Sequence, residues 1–367
     1  MEEIERLWEE VREVSLGTSS SIERLDSAPS PLQFLRNFVS LNKPCIISNA
    51  ISHWPALSLW PNHSYLSDSL SNSSVSLHLT PHGRADSLVS TSSHSLCFAT
   101  SHVQRLPFPL ALRALLNSKP GQFVAYLQHQ NDCFTSEYST ALGSDCDSHI
   151  AFATEALGSL PEAVNLWIGN HFSETSFHKD HYENLYAVVS GQKHFLLLPP
   201  TDVHRLYIRN YPAAQYSYSQ ENGEFKLEMD EPTRYVPWCS VNPYPSPETK
   251  ETEIAKFPLY FNGPKPFHCT VKAGELLYLP SMWFHHVRQS PDEKGCTIAI
   301  NYWYDMQFDI KYAYFNFLQS IHYKLPSTQI RTGNSKSHVS VCNMGDKSYS
   351  TASVSEVMGS NQDNEDE

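Results

Sequence analysis

Long hydrophobic runs and paired cysteines are both missing from this chain of 367 residues. Because no apolar stretch approaches the roughly 20 residues of a membrane-spanning helix, we expect no contact with a membrane. The eight cysteines form no Cys-x-x-Cys pair, which argues against a zinc framework and a disulfide scaffold. We expect them to be reduced, mostly buried thiols. Residues 1–5 are acidic where a targeting leader would be basic, so we predict a location in the nucleus, the cytoplasm or both.

Clusters of basic residues are missing as well. The chain has 26 Lys and Arg against 39 Asp and Glu, which gives a formal net charge of -13. Without a basic stripe to contact phosphates, direct binding to nucleic acid is not expected. The acidity serves solubility, and it would also attract a basic polypeptide substrate.

Short strand-like segments, rich in β-branched and aromatic residues, fill much of the chain after residue 120. Many short strands with few helices predict a mainly β fold with flanking helices, such as a β-barrel or a double-sheet jelly roll. Gly191 lies between two of these segments and indicates a β-hairpin. The predicted strands are residues 122–128, 163–168, 185–189, 194–198, 275–279 and 297–304.

Residues 1–120 are predicted to form a helical and β region that packs on the barrel. Residues 2–14 have the pattern of an amphipathic helix, with Trp8 on its apolar face. That face either packs on its own domain or pairs with a second copy in a homodimer, and the sequence leaves both open. A second helix is expected to begin at Ser30-Pro31, where a capping residue precedes proline.

Residues 121–325 are predicted to form the main β domain. Within it, residues 210–266 carry much Pro, Tyr, Asn and Glu with little periodicity. Long insertions of this kind commonly act as a lid or a substrate-binding wall. Residues 326–367 are rich in Ser, Thr, Asn and Asp and end in an acidic run, a composition that predicts disorder.

A metal site is the chemistry that the sequence indicates most strongly. His178 and Asp180 are two residues apart, so on a strand both side chains emerge on the same face. His285 is the best third ligand, because an apolar strand leads into it, whereas His286 would point the other way. Two histidines and one carboxylate occupy one face of an octahedral ion, an arrangement typical of non-haem Fe(II) oxygenases.

The segments around these ligands resemble the JmjC domain, a cupin-like double-stranded β-helix of Fe(II)- and 2-oxoglutarate-dependent oxygenases. The resemblance covers roughly residues 30 to 320, and its entry segment is similar to that of the small JmjC hydroxylases. The matching segments are residues 43–60, 165–170, 175–180, 184–200, 274–287 and 298–304.

This resemblance implies that His178, Asp180 and His285 bind Fe(II), and that 2-oxoglutarate and O2 are co-substrates. Lys193 and Thr175 lie where the family receives the distal carboxylate of 2-oxoglutarate, since a dicarboxylate in an apolar barrel needs a fixed cation and a hydroxyl donor. The alternative is a solvated hairpin residue, because this is the usual environment of a lysine that follows a turn.

Three further positions match co-substrate contacts of the family. Tyr126 corresponds to a tyrosine that adds a hydrogen bond to the distal carboxylate, although an ordinary core tyrosine is the alternative. Asn184 and Asn301 correspond to asparagines that orient the co-substrate near the metal. Asn301 lies on an apolar strand and needs partners when buried, and these could also be backbone groups.

The resemblance implies two main outcomes, because the same iron site serves hydroxylases of protein side chains and N-methyl-lysine demethylases. The overall size and the entry segment are most similar to the stand-alone hydroxylases. This implies a (3S)-lysyl hydroxylase that acts on a lysine of a GTPase-type protein. The alternative is a histone N-methyl-lysine demethylase in chromatin regulation. A histone-tail endopeptidase or a non-catalytic cupin binding module ranks third. Glu183 and Asp305 are acidic candidates near the mouth of the site for holding a substrate cation.

Overall fold

The computed structural model of the chain describes residues 2–16 and 21–321. The predicted disordered tail, residues 326–367, lies outside the described residues, as does Cys342. The α-helices in the described part are α1 Glu2–Leu16, α2 Pro31–Phe34, α3 Ala56–Leu59, α4 His63–Ser69, α5 Phe108–Leu116, α6 Ser139–Leu142, α7 Ala151–Leu157, α8 Lys250–Lys256, α9 Pro258–Asn262 and α10 Ile310–Ser320. Two π-helical turns, Leu35–Val39 and Phe134–Tyr138, and one 3-10 helix, Pro200–Leu206, accompany them.

Strands make up most of the remaining regular structure. They are β1 Glu23–Leu25, β2 Cys45–Ile47, β3 Ser74–Thr80, β4 Arg84–Ala85, β5 Ser87–Ser90, β6 Leu96–Thr100, β7 His102–Pro107, β8 Val124–Tyr126, β9 Ala163–Gly169, β10 Glu174–His178, β11 Tyr182–Ser190, β12 Gln192–Leu198, β13 Arg209–Ser219, β14 Glu224–Met229, β15 Tyr235–Trp238, β16 Phe267–Lys272, β17 Leu276–Leu279, β18 Phe284–Ser290 and β19 Thr297–Asp305. Each of the six strands predicted after residue 120 overlaps one of these.

Two sheets form the centre of the molecule. The larger has the order β1-β2-β17-β11-β19-β9, and the smaller has the order β16-β12-β18-β10-β4. Tyr186 and Val188 of the larger sheet share one apolar cluster with Phe195 and Leu197 of the smaller, so the sheets face each other across a common core. This is the expected double-stranded β-helix, and the predicted fold class is confirmed.

Both faces of the larger sheet are buried. Along β11, Leu185, Ala187 and Val189 belong to a second apolar cluster on the outer side of the sheet, while Tyr186 and Val188 face the inner core. The outer cluster is covered by the N-terminal helices, where Ser30 caps α2 as its sequence indicates. The sequence of a strand buried on both faces is a continuous apolar run rather than an alternation of apolar and polar residues.

The predicted hairpin at Gly191 is wrong. Strand β11 pairs with β17 and β19, whereas β12 pairs with β16 and β18, so the chain crosses from one sheet to the other at this glycine. Gly191 has φ +70°, and a Cβ there would lie 2.6 Å from the carbonyl oxygen of Ser290. A tight corner between two facing sheets has the same local sequence signal as a hairpin, since both need a residue with positive φ.

Helix α1 packs on its own domain. The indole nitrogen of Trp8 donates to the carbonyl oxygen of Thr201 at 3.0 Å, and Arg12 forms an ion pair with Asp202 at 2.6 Å. Only part of its apolar face is covered, because Val14 remains 75% exposed. The first of the two alternatives for this helix is therefore observed, and pairing with a second copy stays a prediction.

The insertion is more regular than its sequence indicates. Residues 210–266 contain most of β13, all of β14 and β15, and helices α8 and α9. Strand β13 also pairs in parallel with β6 of the N-terminal region. These strands escaped prediction because they are largely half-exposed and therefore lack apolar runs.

Two of the predictions concern the state of the cysteines and the length of the helices. The seven cysteines that the structure describes are free and buried, as predicted. Among the described helices, none is long and apolar enough to cross a membrane.

Candidate metal and co-substrate site

Two neighbouring strands of the smaller sheet bring the predicted metal ligands together. Strands β10 and β18 run antiparallel, with His178 directly opposite His285. The register shifts between Thr175 and His178, and such an irregularity re-aims the side chains that follow it. Asp180 follows the end of β10, where its carbonyl oxygen accepts a hydrogen bond from Met282 N at 2.9 Å. The turn before β18 thereby holds the carboxylate beside the two imidazoles.

The three side chains converge on one point. One ligand atom from each of His178, Asp180 and His285 lies within 4.8 Å of the others. The Oδ2 atom of Asp180 is 3.8 Å from His178 Nε2 and 3.5 Å from His285 Nε2. This donor set, two imidazole nitrogens and one carboxylate, is the facial triad that suits Fe(II) and leaves coordination positions open.

Backbone carbonyls fix both imidazoles in the form that a metal requires. His178 Nδ1 lies 2.9 Å from the carbonyl oxygen of Ser176, and His285 Nδ1 lies 3.1 Å from that of Trp283. A carbonyl only accepts, so each Nδ1 carries the proton and each Nε2 keeps its lone pair for an ion. Burial, together with the neighbouring His178, lowers the pKa of His285 to about 4. The ring is therefore neutral near pH 7.

Lys193 is a buried cation without a counter-ion. Its side chain is 1% exposed, and Nζ donates to the hydroxyl of Tyr126 at 2.9 Å. The same Nζ lies 5.9 Å from the ring centre of Tyr186. No carboxylate pairs with it among the residues that the structure describes. Burial lowers the pKa of Lys193 to about 7.

An unpaired buried charge is expensive, so the site fits a ligand that brings a carboxylate. The solvated-hairpin alternative for Lys193 is excluded, because the side chain is buried and β12 forms no hairpin with β11. Tyr126 is part of the core and also contacts Lys193, so the two descriptions of this tyrosine are compatible.

The two asparagines form a fixed pair. Asn301 Nδ2 donates to Asn184 Oδ1 at 3.2 Å, and Asn301 Oδ1 accepts from the indole nitrogen of Trp167 at 2.8 Å. Asn301 therefore bonds to side chains rather than to the backbone, and its amide is occupied in positioning its neighbour. Asn184, Thr175 and Tyr126 line the same pocket as the triad.

Several pocket residues were missed from the sequence. Strand alternation from Asn184 leads to Tyr186, and alternation from Asn301 leads to Trp303, so the period of two could have found both. Trp303 stacks on Tyr182 with ring centres 4.8 Å apart. The pocket-lining residues that were not predicted are Gln130, Trp167, Tyr186, Phe195, Val287 and Trp303.

Glu183 was wrongly predicted as an acidic group at the mouth. It is 6% exposed and accepts hydrogen bonds from Tyr278 Oη at 2.6 Å and from Ser281 Oγ at 2.8 Å. Strand alternation places it on the face opposite to Asn184, away from the pocket. Asp305 is exposed, and its role with a substrate cation stays a prediction.

An ion-pair network supports the strands from outside the pocket. Glu174 accepts from His286 at 3.1 Å and from Arg288 at 2.8 Å, and Arg84 pairs with it at 3.0 Å. Burial alone would raise the pKa of Glu174, but the His286 hydrogen bond and Arg84 lower it to about 2. His286 thus points away from the metal ligands, as expected.

Comparisons with known proteins agree with this geometry. A family model described as a cupin-like domain matches residues 31–310. Lysine-specific demethylase JMJ32 of Arabidopsis thaliana is 66% identical over 325 residues, 89% of this chain and 93% of that protein. Bifunctional peptidase and (3S)-lysyl hydroxylase JMJD7 of Homo sapiens is 42% identical over 301 residues, 82% of this chain and 89% of that protein. JmjC domain-containing protein E of Dictyostelium discoideum is 35% identical over 315 residues, 81% and 88% of the two chains.

Proposed function

The chain belongs to the cupin-like JmjC family of 2-oxoglutarate-dependent dioxygenases, which generally use Fe(II), and on that premise we propose that it is a protein lysyl hydroxylase. The substrate is a lysine in a GTPase-type protein, and the product carries a hydroxyl group on C3 of that lysine in the 3S configuration. The likeness to the human protein named a bifunctional peptidase and (3S)-lysyl hydroxylase, which extends over 89% of that protein, supports lysyl hydroxylation as the reaction.

The residues of the pocket divide into two groups by what they would hold. His178, Asp180 and His285 would bind Fe(II). Lys193, with Tyr126 and Thr175, would receive the distal carboxylate of 2-oxoglutarate, while Asn184, held by Asn301, would orient its other end. The bound ion with 2-oxoglutarate and O2 supplies the oxidation of a C–H bond. The protein contributes fixed ligands, a charge placed in advance and a pocket lined by aromatic walls that limit water.

One observation carries the oxygenase assignment. Lys193 is buried and has no carboxylate partner among the described residues, and Tyr126, which accepts its hydrogen bond, lines the same pocket as the metal triad. A structural lysine would be paired with a carboxylate or would extend to solvent. The lysine is therefore kept for an anionic co-substrate.

A histone N-methyl-lysine demethylase is the second candidate. The observation that favours it is the 66% identity to the Arabidopsis protein that is named a lysine-specific demethylase. The two reactions differ in where the oxidised carbon sits, on the lysine side chain itself or on a methyl group attached to its nitrogen. A peptidase activity, which the name of the human relative includes, ranks below both.

Mass spectrometry of matched peptides tests the proposal. Peptides that differ only in carrying an unmethylated, monomethylated, dimethylated or trimethylated lysine are incubated with the protein, Fe(II), 2-oxoglutarate and O2. Addition of one oxygen to the unmethylated peptide supports hydroxylation, whereas loss of a methyl group with formaldehyde supports demethylation. A cut peptide would indicate the peptidase instead.

Two aspartates of this chain give matched controls. Asp180→Ala removes a metal ligand, so we expect no succinate and no oxidised peptide. Asp26→Ala removes an exposed carboxylate outside both the triad and the pocket lining, and we expect turnover to remain. Equal turnover in the Asp180 variant would overturn the metal assignment.

The proposal also includes a homodimer through α1 and a location in the nucleus, the cytoplasm or both. The exposed Val14 supports the first part, because it continues the apolar face of that helix beyond its own domain. Sedimentation of the wild-type protein and of Val14→Glu tests it, and we expect the variant to be the smaller species.

A further inference from the structure

Asp86 lies beside β10, the strand that carries His178 and the pocket-lining residue Thr175. Strand β4 runs parallel to β10, with Ala85 opposite Thr175, so Asp86 continues this short strand along β10. The chain then leaves the barrel, because β5 joins the sheet of the insertion. Asp86 has φ +51°, a left-handed conformation that is uncommon outside glycine. Asp86 thus lies at the corner where the chain passes from the barrel to the sheet that contains β13 and β14.

The corner is held by its backbone. The carbonyl oxygen of Asp86 accepts a hydrogen bond from Ser176 Oγ at 2.6 Å. Ser176 Oγ in turn accepts from the indole nitrogen of Trp238 at 3.1 Å, and the Trp238 ring stacks parallel to the His178 ring at 6.2 Å between centres. The position of Asp86 is therefore fixed relative to the metal ligand.

The carboxylate of Asp86 has no partner among the described residues, although its backbone is so well held. Its neighbour Arg84 already pairs with Glu174 at 3.0 Å. Glu183 and Asp202, two other carboxylates of this core, each accept hydrogen bonds from their surroundings. Asp86 is only half-buried, so a ligand can reach it. Its charge is also near enough to His178 to interact with that ring, and burial raises the pKa of Asp86 to about 6.

We infer that the Asp86 carboxylate receives the ammonium group of the substrate lysine. The inference rests on the proposed function and adds the residue that would select its substrate. An ammonium group has three donors and needs acceptors when it leaves water. A partly desolvated carboxylate forms stronger hydrogen bonds with a cation than an exposed one does.

The place of Asp86 also favours one of the two reactions. In hydroxylation at C3, the ammonium group is several bonds from the oxidised carbon, so its receptor must lie beside the metal ligands and not among them. In demethylation, the oxidised methyl carbon is attached to the nitrogen, so the nitrogen must lie one bond from the carbon that approaches the metal. A trimethylated nitrogen has no N–H donor for a carboxylate. Asp86 would therefore disfavour a trimethylated lysine, and an unmethylated lysine offers it the most N–H donors.

A double-mutant cycle tests the contact. The protein variant is Asp86→Asn, which keeps the shape and removes the charge, and the peptide variant replaces the single lysine by norleucine, which keeps the methylene stem and removes the ammonium. Equilibrium binding of both peptides is measured by fluorescence anisotropy with Mn(II) and 2-oxoglutarate present, and KM is measured with Fe(II). Asp26→Asn is the matched control, because it removes an exposed negative charge from a residue that does not line the pocket.

We expect Asp86→Asn to weaken binding of the lysine peptide and to raise its KM by roughly 10- to 100-fold, the range for a lost hydrogen bond to a charged group. Binding of the norleucine peptide should be equally weak in both proteins, so that the two losses do not add. KM for 2-oxoglutarate should change little, and Asp26→Asn should bind the lysine peptide as the wild type does.

Two results would overturn the inference. One is that the lysine peptide binds the Asp86→Asn variant as tightly as it binds the wild-type protein. The other is an equal loss for the lysine and norleucine peptides, which would make Asp86 a support of the corner only. Failure of the proposed function has a different signature, because the wild-type protein would then add no oxygen to any lysine peptide. The binding cycle would still report on the ammonium contact in that case.

Discussion

Lys193→Met should make the protein more stable without its co-substrate and unable to respond to it. The lysine is buried beside Tyr126 with no carboxylate partner in the described chain. Methionine has a similar length and no charge, so it fills the same space in an apolar core. A residue that serves folding would give the opposite result on replacement.

The magnitude follows from the cost of the buried charge. Burial lowers the pKa of Lys193 from 10.5 to about 7, which corresponds to a cost on the order of 5 kcal/mol for the charged lysine in the folded state. In the variant, the hydroxyl of Tyr126 loses its hydrogen-bond donor, which reduces the gain in stability by about 1 kcal/mol. Replacement of buried charges by apolar residues stabilises proteins by about 1–4 kcal/mol, and we expect a gain in that range near pH 6.

The sign of the pH dependence can be stated as well. Between about pH 7 and about pH 10.5, the unfolded lysine keeps its proton while the folded one has lost it. The unfolded state then binds more protons, so the stability of the wild-type protein rises with pH in this window. The advantage of Lys193→Met should therefore be full below about pH 7 and should shrink toward about pH 10.

Thermal unfolding measures both effects. We expect the Tm of Lys193→Met to exceed that of the wild type near pH 6, and 2-oxoglutarate with Mn(II) to raise only the wild-type Tm. Lys256→Met is the control, because its side chain is 57% exposed and its charge costs the fold little. A variant with a lower Tm and an unchanged response to 2-oxoglutarate would refute the reasoning.

Three further outcomes are expected. Asn301→Ala should raise KM for 2-oxoglutarate and lower kcat while the fold persists, because Asn184 loses the amide that orients it; steady-state kinetics with Asn301→Gln for comparison checks this. Glu174→Gln should cost about 1–3 kcal/mol at neutral pH, and denaturant unfolding should show that the wild type loses this advantage as pH falls from about 4.5 toward 2. Gly191→Ala should lower Tm, whereas Gly223→Ala, also at positive φ but in open space, should lower it less.

The metal triad was predictable because its information is local. A spacing of two places His178 and Asp180 on one face of a strand, and the apolar strand before His285 supplies the third side chain from a neighbouring position. The pairing of His178 with His285 could not be read from the sequence, but it required only that two strands of one sheet lie together. The jelly-roll class followed from the many short strands for the same reason.

The errors arose where tertiary pairing decides the outcome. The corner at Gly191 has the local signal of a hairpin, and only the identity of the partner strands separates the two. Glu183 was placed at the mouth by its charge, although alternation from Asn184 already assigned it to the other face. The free carboxylate of Asp86 has no signal in the sequence, because it depends on where Arg84 finds its partner.

Strand β8 has a consequence for the modularity of the enzyme. It pairs with β3, where Tyr126 lies opposite His78. The hydroxyl of Tyr126 on this strand accepts the hydrogen bond from Lys193 Nζ. A fragment that began at residue 121 would keep the tyrosine but lose the strand that aims it. Exchange of the first 120 residues between relatives would therefore also change the affinity for the co-substrate. The barrel would depend on the N-terminal region for the position of Tyr126.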